Sequence, residues 1–315
     1  PREREGGRGG AQLFRFFLLR LVGSSHHTFP LPSLLSVRGE LDLATSASEH
    51  RPRRRKLATD EPTMVSAETI RTAIGVIGNG TALVLFLSPV PTFYRIWKKR
   101  AVEQYSAIPY VATLLNCMMW VLYGLPVVHP HSMLVITING TGMAIQLTYV
   151  TLFLLYSTGA ARRKVMLLLA AEVAFVGAVA ALVLTLAHTH ERRSMIVGVL
   201  CVLFGTGMYA APLAVMKMVI QTKSVEYMPL FLSLASLVNG ICWTAYALIK
   251  FDLYITIPNG LGVLFAVAQL ILYAIYYKST QEIIEARKRK ADQIAMTEVV
   301  VDATTTRASN TTAGY

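Results

Sequence analysis

The chain has 315 residues, of which 54% are hydrophobic and only 15% charged, where a water-soluble domain carries about a quarter charged residues. Charge this sparse excludes an ordinary water-soluble domain and makes a lipid bilayer the expected solvent. The net charge of +12 sits in short loops and a tail between apolar runs. That is how membrane proteins fix their orientation, so no nucleic-acid partner is expected.

Residues 1–63 differ in character from the rest of the chain. They start without methionine, carry Arg/Gly-rich and Ser/Pro-rich stretches, and include the basic run Arg51–Lys56. Their one apolar stretch, Leu13 to Val22, is interrupted by Arg15 and Arg20, so it is too short to span and too charged for a signal-peptide core. The expectation for 1–63 is a gene-model extension or a disordered leader, with the folded protein opening at Met64.

Seven apolar runs of spanning length lie beyond Met64, at about 70–94, 105–127, 132–156, 165–187, 195–217, 229–249 and 254–277. Arg95, Lys98, Lys99 and Arg100 fill the first loop, Arg162, Arg163 and Lys164 the third, Lys217 and Lys223 frame the fifth, and Lys278 and Arg287–Lys290 lie in the tail. The alternate loops are poorer in lysine and arginine. The positive-inside rule then predicts an external N-terminus and a cytosolic C-terminus, with the basic tail near anionic lipid. Cys117, Cys201 and Cys242 all lie inside apolar runs and read as small buried hydrophobes, with no metal or cofactor implied.

Shifted by 123 residues, the chain matches itself. Gly75 meets Gly198, Pro89 meets Pro212, and Asn116, Trp120 and Tyr123 meet Asn239, Trp243 and Tyr246. After a three-residue shortening, Asn139-Gly140 meets Asn259-Gly260. Spans 1–3 therefore repeat as spans 5–7. An odd number of spans per repeat requires span 4 to cross the membrane and return the second repeat to the same orientation. The predicted fold is an all-α membrane protein of seven helices in a 3-1-3 arrangement: two parallel triple-helix repeats plus a linker helix. Its parts are 64–160, the linker 161–190, 191–278, and a disordered cytosolic tail, 279–315. Parallel repeats with a site at their interface are a transporter architecture.

Asn116, Trp120 and Tyr123 share one helical stripe, as do Asn239, Trp243 and Tyr246. Counting along the spans puts Trp120, Asn139, Trp243 and Asn259 roughly 10 Å below one surface. Aromatic faces cover the C–H surface of a sugar ring, and each amide offers donors and acceptors to hydroxyls. A pocket for a neutral polyol is the expected result. Pro89, Pro109, Pro212 and Pro229 fall near the cytosolic ends of spans 1, 2, 5 and 6 and read as hinges, although Pro109 and Pro229 also suit helix starts. Tyr123, Tyr246 and Asp252 lie at the outer mouth, where a Tyr–Asp hydrogen bond would form an extracellular latch. The deep interiors of the repeats carry no acidic residue. Glu172 of span 4 stands outside them, capped within the bundle or protonated, so passive, bidirectional movement is expected rather than ion coupling.

Other readings fare worse. A seven-helix receptor shares the topology but not a parallel repeat. An intramembrane enzyme would need a His-Glu-x-x-His, paired aspartates or a Ser/His pair, and none is present. Gly75, Gly78 and Gly80 read as helix-packing glycines, since no strand precedes them to make a phosphate loop. The Asn-x-Thr matches at Asn79, Asn139 and Asn310 fall at membrane-buried or cytosolic positions and are expected to be unglycosylated.

The motifs Ser88-Pro89-Val90-Pro91-Thr92-Phe93, Leu115-Asn116-Cys117 with Trp120, Thr137-Ile138-Asn139-Gly140, Met208-Tyr209-Ala210-Ala211-Pro212, Gln221-Thr222-Lys223-Ser224-Val225-Glu226-Tyr227-Met228-Pro229 and Pro258-Asn259-Gly260 resemble the plant SWEET sugar-facilitator family of the PQ-loop (MtN3/saliva) superfamily over about 64–290. The resemblance implies energy-independent sugar flux. It also implies a pocket lined by Trp120, Asn139, Trp243 and Asn259 with Asn116 and Asn239 beside them, the four prolines as hinges, and a homo- or hetero-oligomer of related transporters. Bulk at Leu85 and Met208, and an asparagine at 116, imply glucose and fructose over sucrose. A sucrose carrier or a proton-coupled relative is the alternative. Plasma membrane is the expected address, with the vacuolar membrane as the other.

Overall fold

A computed structural model describes residues 66–312; the expected leader, 1–63, lies outside the described residues. The described chain is helical throughout apart from short links, in the order α1 Ala67–Leu87, α2 Val90–Lys99, α3 Ile108–Gly124, α4 Met133–Tyr156, α5 Gly159–Leu186, α6 His190–Gly207, α7 Ala210–Thr222, α8 Leu230–Ile249 and α9 Leu253–Thr312. Helices α1 and α2 together make span 1, and α6 and α7 make span 5, each 33 residues long. Six spans are long and apolar enough to cross a membrane, and the shorter apolar helix α3 is the seventh.

Spans 1 and 5 run beyond their apolar windows because polar residues cap them. Ser66 Oγ accepts from Thr69 N at 3.2 Å and Thr189 Oγ1 from Arg192 N at 3.3 Å, each satisfying a donor the helix start leaves free. At the far ends, Arg100 and Lys223 are repeat mates and both adopt φ 55°. Each then reaches a tyrosine of the third span in its own repeat: Arg100 to Tyr156 Oη at 2.6 Å and Lys223 to Tyr276 Oη at 3.1 Å.

Both long spans break where prolines remove a donor. Pro212 cannot bond the carbonyl of Met208 and crowds it, so α6 ends at Gly207 and α7 resumes at Ala210. In the first repeat Pro89 and Pro91 act in tandem, and the break falls at Ser88–Pro89. Pro109 lies in the first turn of α3 and Pro229 is the N-cap of α8, so both stand at helix starts.

Helix α1 packs on α4 within its repeat and on α8 of the other; α6 does the same with α9 and α3. Glycine permits the tight approaches. A Cβ at Gly198 would come within 2.5–2.8 Å of the Tyr254 ring, and one at its mate Gly75 within 2.9 Å of the Tyr246 ring. Gly78 meets Trp243, whereas Gly80 has open space around it; of the three glycines expected to pack, Gly80 does not. The linker α5 buries only Val165 and Val183, leaving Leu167, Leu182 and Leu186 exposed, as a helix bathed in hydrocarbon tolerates. Glu172 Oε2 is buried with no hydrogen-bond partner among the described residues, so the expected cap within the bundle is not formed.

The tail differs from expectation. The expected tail is 279–315; within the described residues α9 continues as helix through Thr312, and 313–315 lie outside them. No proline or glycine interrupts 281–312, and its first half, 281–296, is rich in alanine, glutamate, lysine and arginine, all strong helix formers. Arg289 pairs with Glu285 one turn back at 3.5 Å. Arg287 bonds both carboxylate oxygens of Glu226, at 3.1 and 3.2 Å, tying the helix to the α7–α8 link.

Replacing Gly198 with valine should destabilise the protein by about 1–3 kcal/mol through overpacking against Tyr254. Gly177→Ala, at a position with open space, should be neutral or stabilising by up to about 1 kcal/mol. Thermal unfolding in detergent compares the two.

Candidate functional site

Between the two repeats lies a cavity of about 300 Å³. Its wall respects the repeat to a degree not set by any single motif. Sixteen of the seventeen lining residues form eight mated pairs: Ala82/Gly205, Leu85/Met208, Phe86/Tyr209, Asn116/Asn239, Trp120/Trp243, Val135/Ile255, Ile138/Pro258 and Asn139/Asn259. Thr113 is the one unpaired member. The wall carries no carboxylate, imidazole, lysine or arginine. Every residue expected to touch substrate or set its size, namely Trp120, Asn139, Trp243, Asn259, Asn116, Asn239, Leu85 and Met208, is on it. The hinge prolines are not; the cavity's proline is Pro258 of α9.

The amides are held before any ligand arrives. Asn139 Nδ2 donates to Val135 O at 2.9 Å and Asn259 Nδ2 to Ile255 O at 2.8 Å, each one turn back on its own helix. Each keeps Oδ1 free of partners among the described residues. Asn239 Oδ1 accepts from Thr81 Oγ1 at 3.2 Å. Its mate faces a different neighbour, because the position repeating Thr81 is Phe204, and Asn116 Oδ1 stays buried without a partner. The indoles are fixed from behind by edge-on tyrosines: Trp120 against Tyr123 at 5.6 Å between centroids and Trp243 against Tyr246 at 5.1 Å.

Those tyrosines lie behind the indoles, toward the α3–α4 and α8–α9 links. Tyr123 Oη donates to Asp252 Oδ2 at 2.9 Å, joining α3 of the first repeat to the α8–α9 link of the second. Asp252 Oδ1 accepts from the backbone N–H groups of Tyr254 and Ile255 at 3.0 and 3.2 Å, capping α9. His129 stacks on Tyr123 at 4.7 Å and places Nε2 3.4 Å from Asp252 Oδ2. Burial holds the His129 imidazole below its usual range against the pull of the Asp252 carboxylate, with Arg71 and His131 adding to the lowering. Tyr246, the third residue expected at this mouth, makes no bond to Asp252. Its ring lies 3.9 Å from the guanidinium of Arg71.

Arg71, His129, Ser194, Phe86, Val135 and Ile255 were not singled out from sequence, and Ile138, Tyr209 and Pro258 stood only within motifs, with no site role. The mated pairs among them were available in principle, since the same 123- and 120-residue shifts align them. Tyr209 has a further role its mate Phe86 lacks: its hydroxyl donates to Pro258 O at 2.6 Å, beside Asn259.

A family profile described as "Sugar efflux transporter for intercellular exchange" matches residues 72–161 and again 195–281, once per triple-helix unit. The chain is 88% identical over 240 residues to the bidirectional sugar transporter SWEET4 of Oryza sativa subsp. japonica, covering 76% of this chain and 93% of that protein. It is 52% identical over 243 residues to the bidirectional sugar transporter SWEET7 of Arabidopsis thaliana, covering 77% and 94%. The chain belongs to the SWEET family. A solved eukaryotic SWEET transporter superposes with a TM-score of 0.65 at 38% identity, covering 67% of this chain and 99% of that one. SWEET membership accounts for the doubled triple-helix architecture and sets the protein among transporters rather than enzymes.

The hydrogen bond from Tyr123 to a buried carboxylate is worth roughly 1.5–3 kcal/mol. Tyr123→Phe should therefore lower the unfolding temperature by several degrees, at roughly 2–4 °C per kcal/mol for a chain of this size. Tyr246→Phe keeps the ring under Arg71 and should leave it nearly unchanged. Parallel melts of the two variants check this.

Proposed function

We propose that the protein is an energy-independent, bidirectional facilitator of hexoses, glucose and fructose foremost, working by alternating access to the central cavity. The observation that carries the reading is the mated wall of two indoles and four amides with no ionisable acid or base beyond one phenol. Such a wall gives a hydroxylated ring apolar faces and hydrogen-bond partners without selecting for charge. Its relatives are named bidirectional sugar transporters, in keeping with this.

Size argues for one ring. A volume of about 300 Å³ is at the small end of the roughly 300–1,000 Å³ range of ligand pockets. Leu85 and Met208 narrow it from mated positions. The absence of a carboxylate or histidine from the wall supports passive movement, because ion-coupled carriers keep such a group on the pathway.

In this reading the Tyr123–Asp252 end faces outside and closes by that bond. The four prolines let the opposite, cytosolic halves bend, with Pro89 and Pro212 at the breaks in spans 1 and 5 and Pro109 and Pro229 at the starts of α3 and α8. The plasma membrane is the address this topology serves.

The test is flux in vesicles of pure protein. Labelled glucose should equilibrate at similar rates in both directions, sucrose should move at least about tenfold more slowly, and Trp243→Ala should lower glucose flux by about tenfold or more, as loss of 1.4 kcal/mol or more of ring contact requires. An imposed proton gradient should drive no accumulation. Concentrative uptake, or sucrose moving as fast as glucose, would contradict the reading.

A further inference from the structure

We propose that Arg71 is a second clamp on the mouth closed by Tyr123 and Asp252, acting on the other half of that mouth and sharing no partner with them. This rests on the alternating-access reading above and adds to it a positioning residue, one that biases the mouth without touching sugar.

Arg71 lies in the second turn of α1 and is only 5% exposed. A basic residue near a helix end ordinarily reaches its head group out to the interface. Arg71 turns inward. Its guanidinium sits 3.9 Å from the centroid of Tyr246. Its Nε donates to Tyr246 O at 3.4 Å and its Nη1 to His131 O at 3.3 Å. Glu68 Oε1 stands 3.7 Å from Nη1, and the other oxygen of Glu68 pairs with Lys250 at the end of α8. One side chain therefore joins the start of α1, the end of α8 and the α3–α4 link.

A buried guanidinium needs partners for its five donors, and losing them leaves a buried charge uncompensated. The ring and carbonyl of Tyr246 belong to the second repeat, and Arg71 to the first. Moving α1 away from α8 removes both at once. These two contacts across the repeats last only while α1 and α8 stay together, which is what a clamp requires.

The repeat explains why the two halves differ. The mate of Arg71 is Ser194. Ser194 Oγ donates to Val128 O at 2.8 Å and meets His129 Nδ1 at 3.0 Å. Both mates thus hold carbonyls of one link, Leu125–Ser132, and both mouth tyrosines carry a nitrogen group on a face: Arg71 on Tyr246, His129 on Tyr123. The corresponding link of the second repeat, Lys250–Asp252, is too short to arch back in the same way and supplies Asp252 instead. The mouth has two locks because one link is long and the other short.

Hydrogen exchange on the full chain in lipid nanodiscs tests this, comparing Arg71→Met, Arg71→Lys, Tyr246→Phe and Asp252→Asn. Arg71→Met should raise exchange about tenfold in the first turns of α1, the last turn of α8 and the Leu125–Ser132 link, and leave the Pro229 end unchanged. Arg71→Lys, which keeps the charge and loses the fork, should raise it about threefold at the same places; it carries the test should Arg71→Met not fold. Tyr246→Phe should change nothing. If Asp252→Asn loosens the mouth and neither Arg71 variant does, the clamp is refuted while alternating access stands. If none of the three loosens it, both fall. Exchange raised throughout the chain by the Arg71 variants would make the residue a general structural support and also refute the clamp.

Discussion

An asparagine placed in hydrocarbon without a partner costs roughly 2–7 kcal/mol, and the cavity wall of this protein holds four. The way they are satisfied governs the rest of the structure. Asn139 and Asn259 each spend an amide hydrogen on the carbonyl one turn back, at 2.9 and 2.8 Å. That fixes the side chain and leaves its oxygen for a ligand. Both oxygens belong to residues that line the cavity between the repeats, together with the indoles of α3 and α8. Tyrosines stand edge-on behind both indoles.

Duplication gives this arrangement twice, and the departures from symmetry carry the information. Thr81 supports Asn239, but Phe204 offers nothing to Asn116, whose carbonyl remains buried and unpartnered. A ligand hydroxyl is the natural donor for that atom. Tyr209 fastens the break in span 5 to Pro258, while in the first repeat Tyr149 Oη reaches the carbonyl of Phe86 at 3.1 Å. The mouth is asymmetric for a simple reason of chain length: an eight-residue link, Leu125–Ser132, stands opposite a three-residue one, Lys250–Asp252.

Much of this was legible in the chain itself. Span number comes from apolar length, and the repeat from identities such as Trp120/Trp243 that survive a fixed shift. The stripe Asn116, Trp120, Tyr123 comes from helical period alone, and the bond between Tyr123 and Asp252 was foreseeable from their shared end. What escaped depends on tertiary direction. Arg71 carries no signal of its own in the sequence, and only the fold shows α8 presenting a ring and a carbonyl to it. Tyr246 looked equivalent to Tyr123, and only the unequal links give them different partners. The helix of 281–296 has good helix formers to build it, but Arg287 gains Glu226 from a link 61 positions away, which no local pattern announces. Gly80 sits in a run of glycines with the right spacing and faces open space, because packing depends on which side of α1 meets a neighbour.

On the proposed function, the mated amide oxygens and indoles receive one sugar ring. A structure of the protein with glucose bound tests it most directly. A single ring should lie between Trp120 and Trp243, with hydroxyls on Oδ1 of Asn139 and Asn259 and a donor to Asn116 Oδ1. A sugar seated elsewhere, or one that leaves both of those mated oxygens untouched, would contradict it.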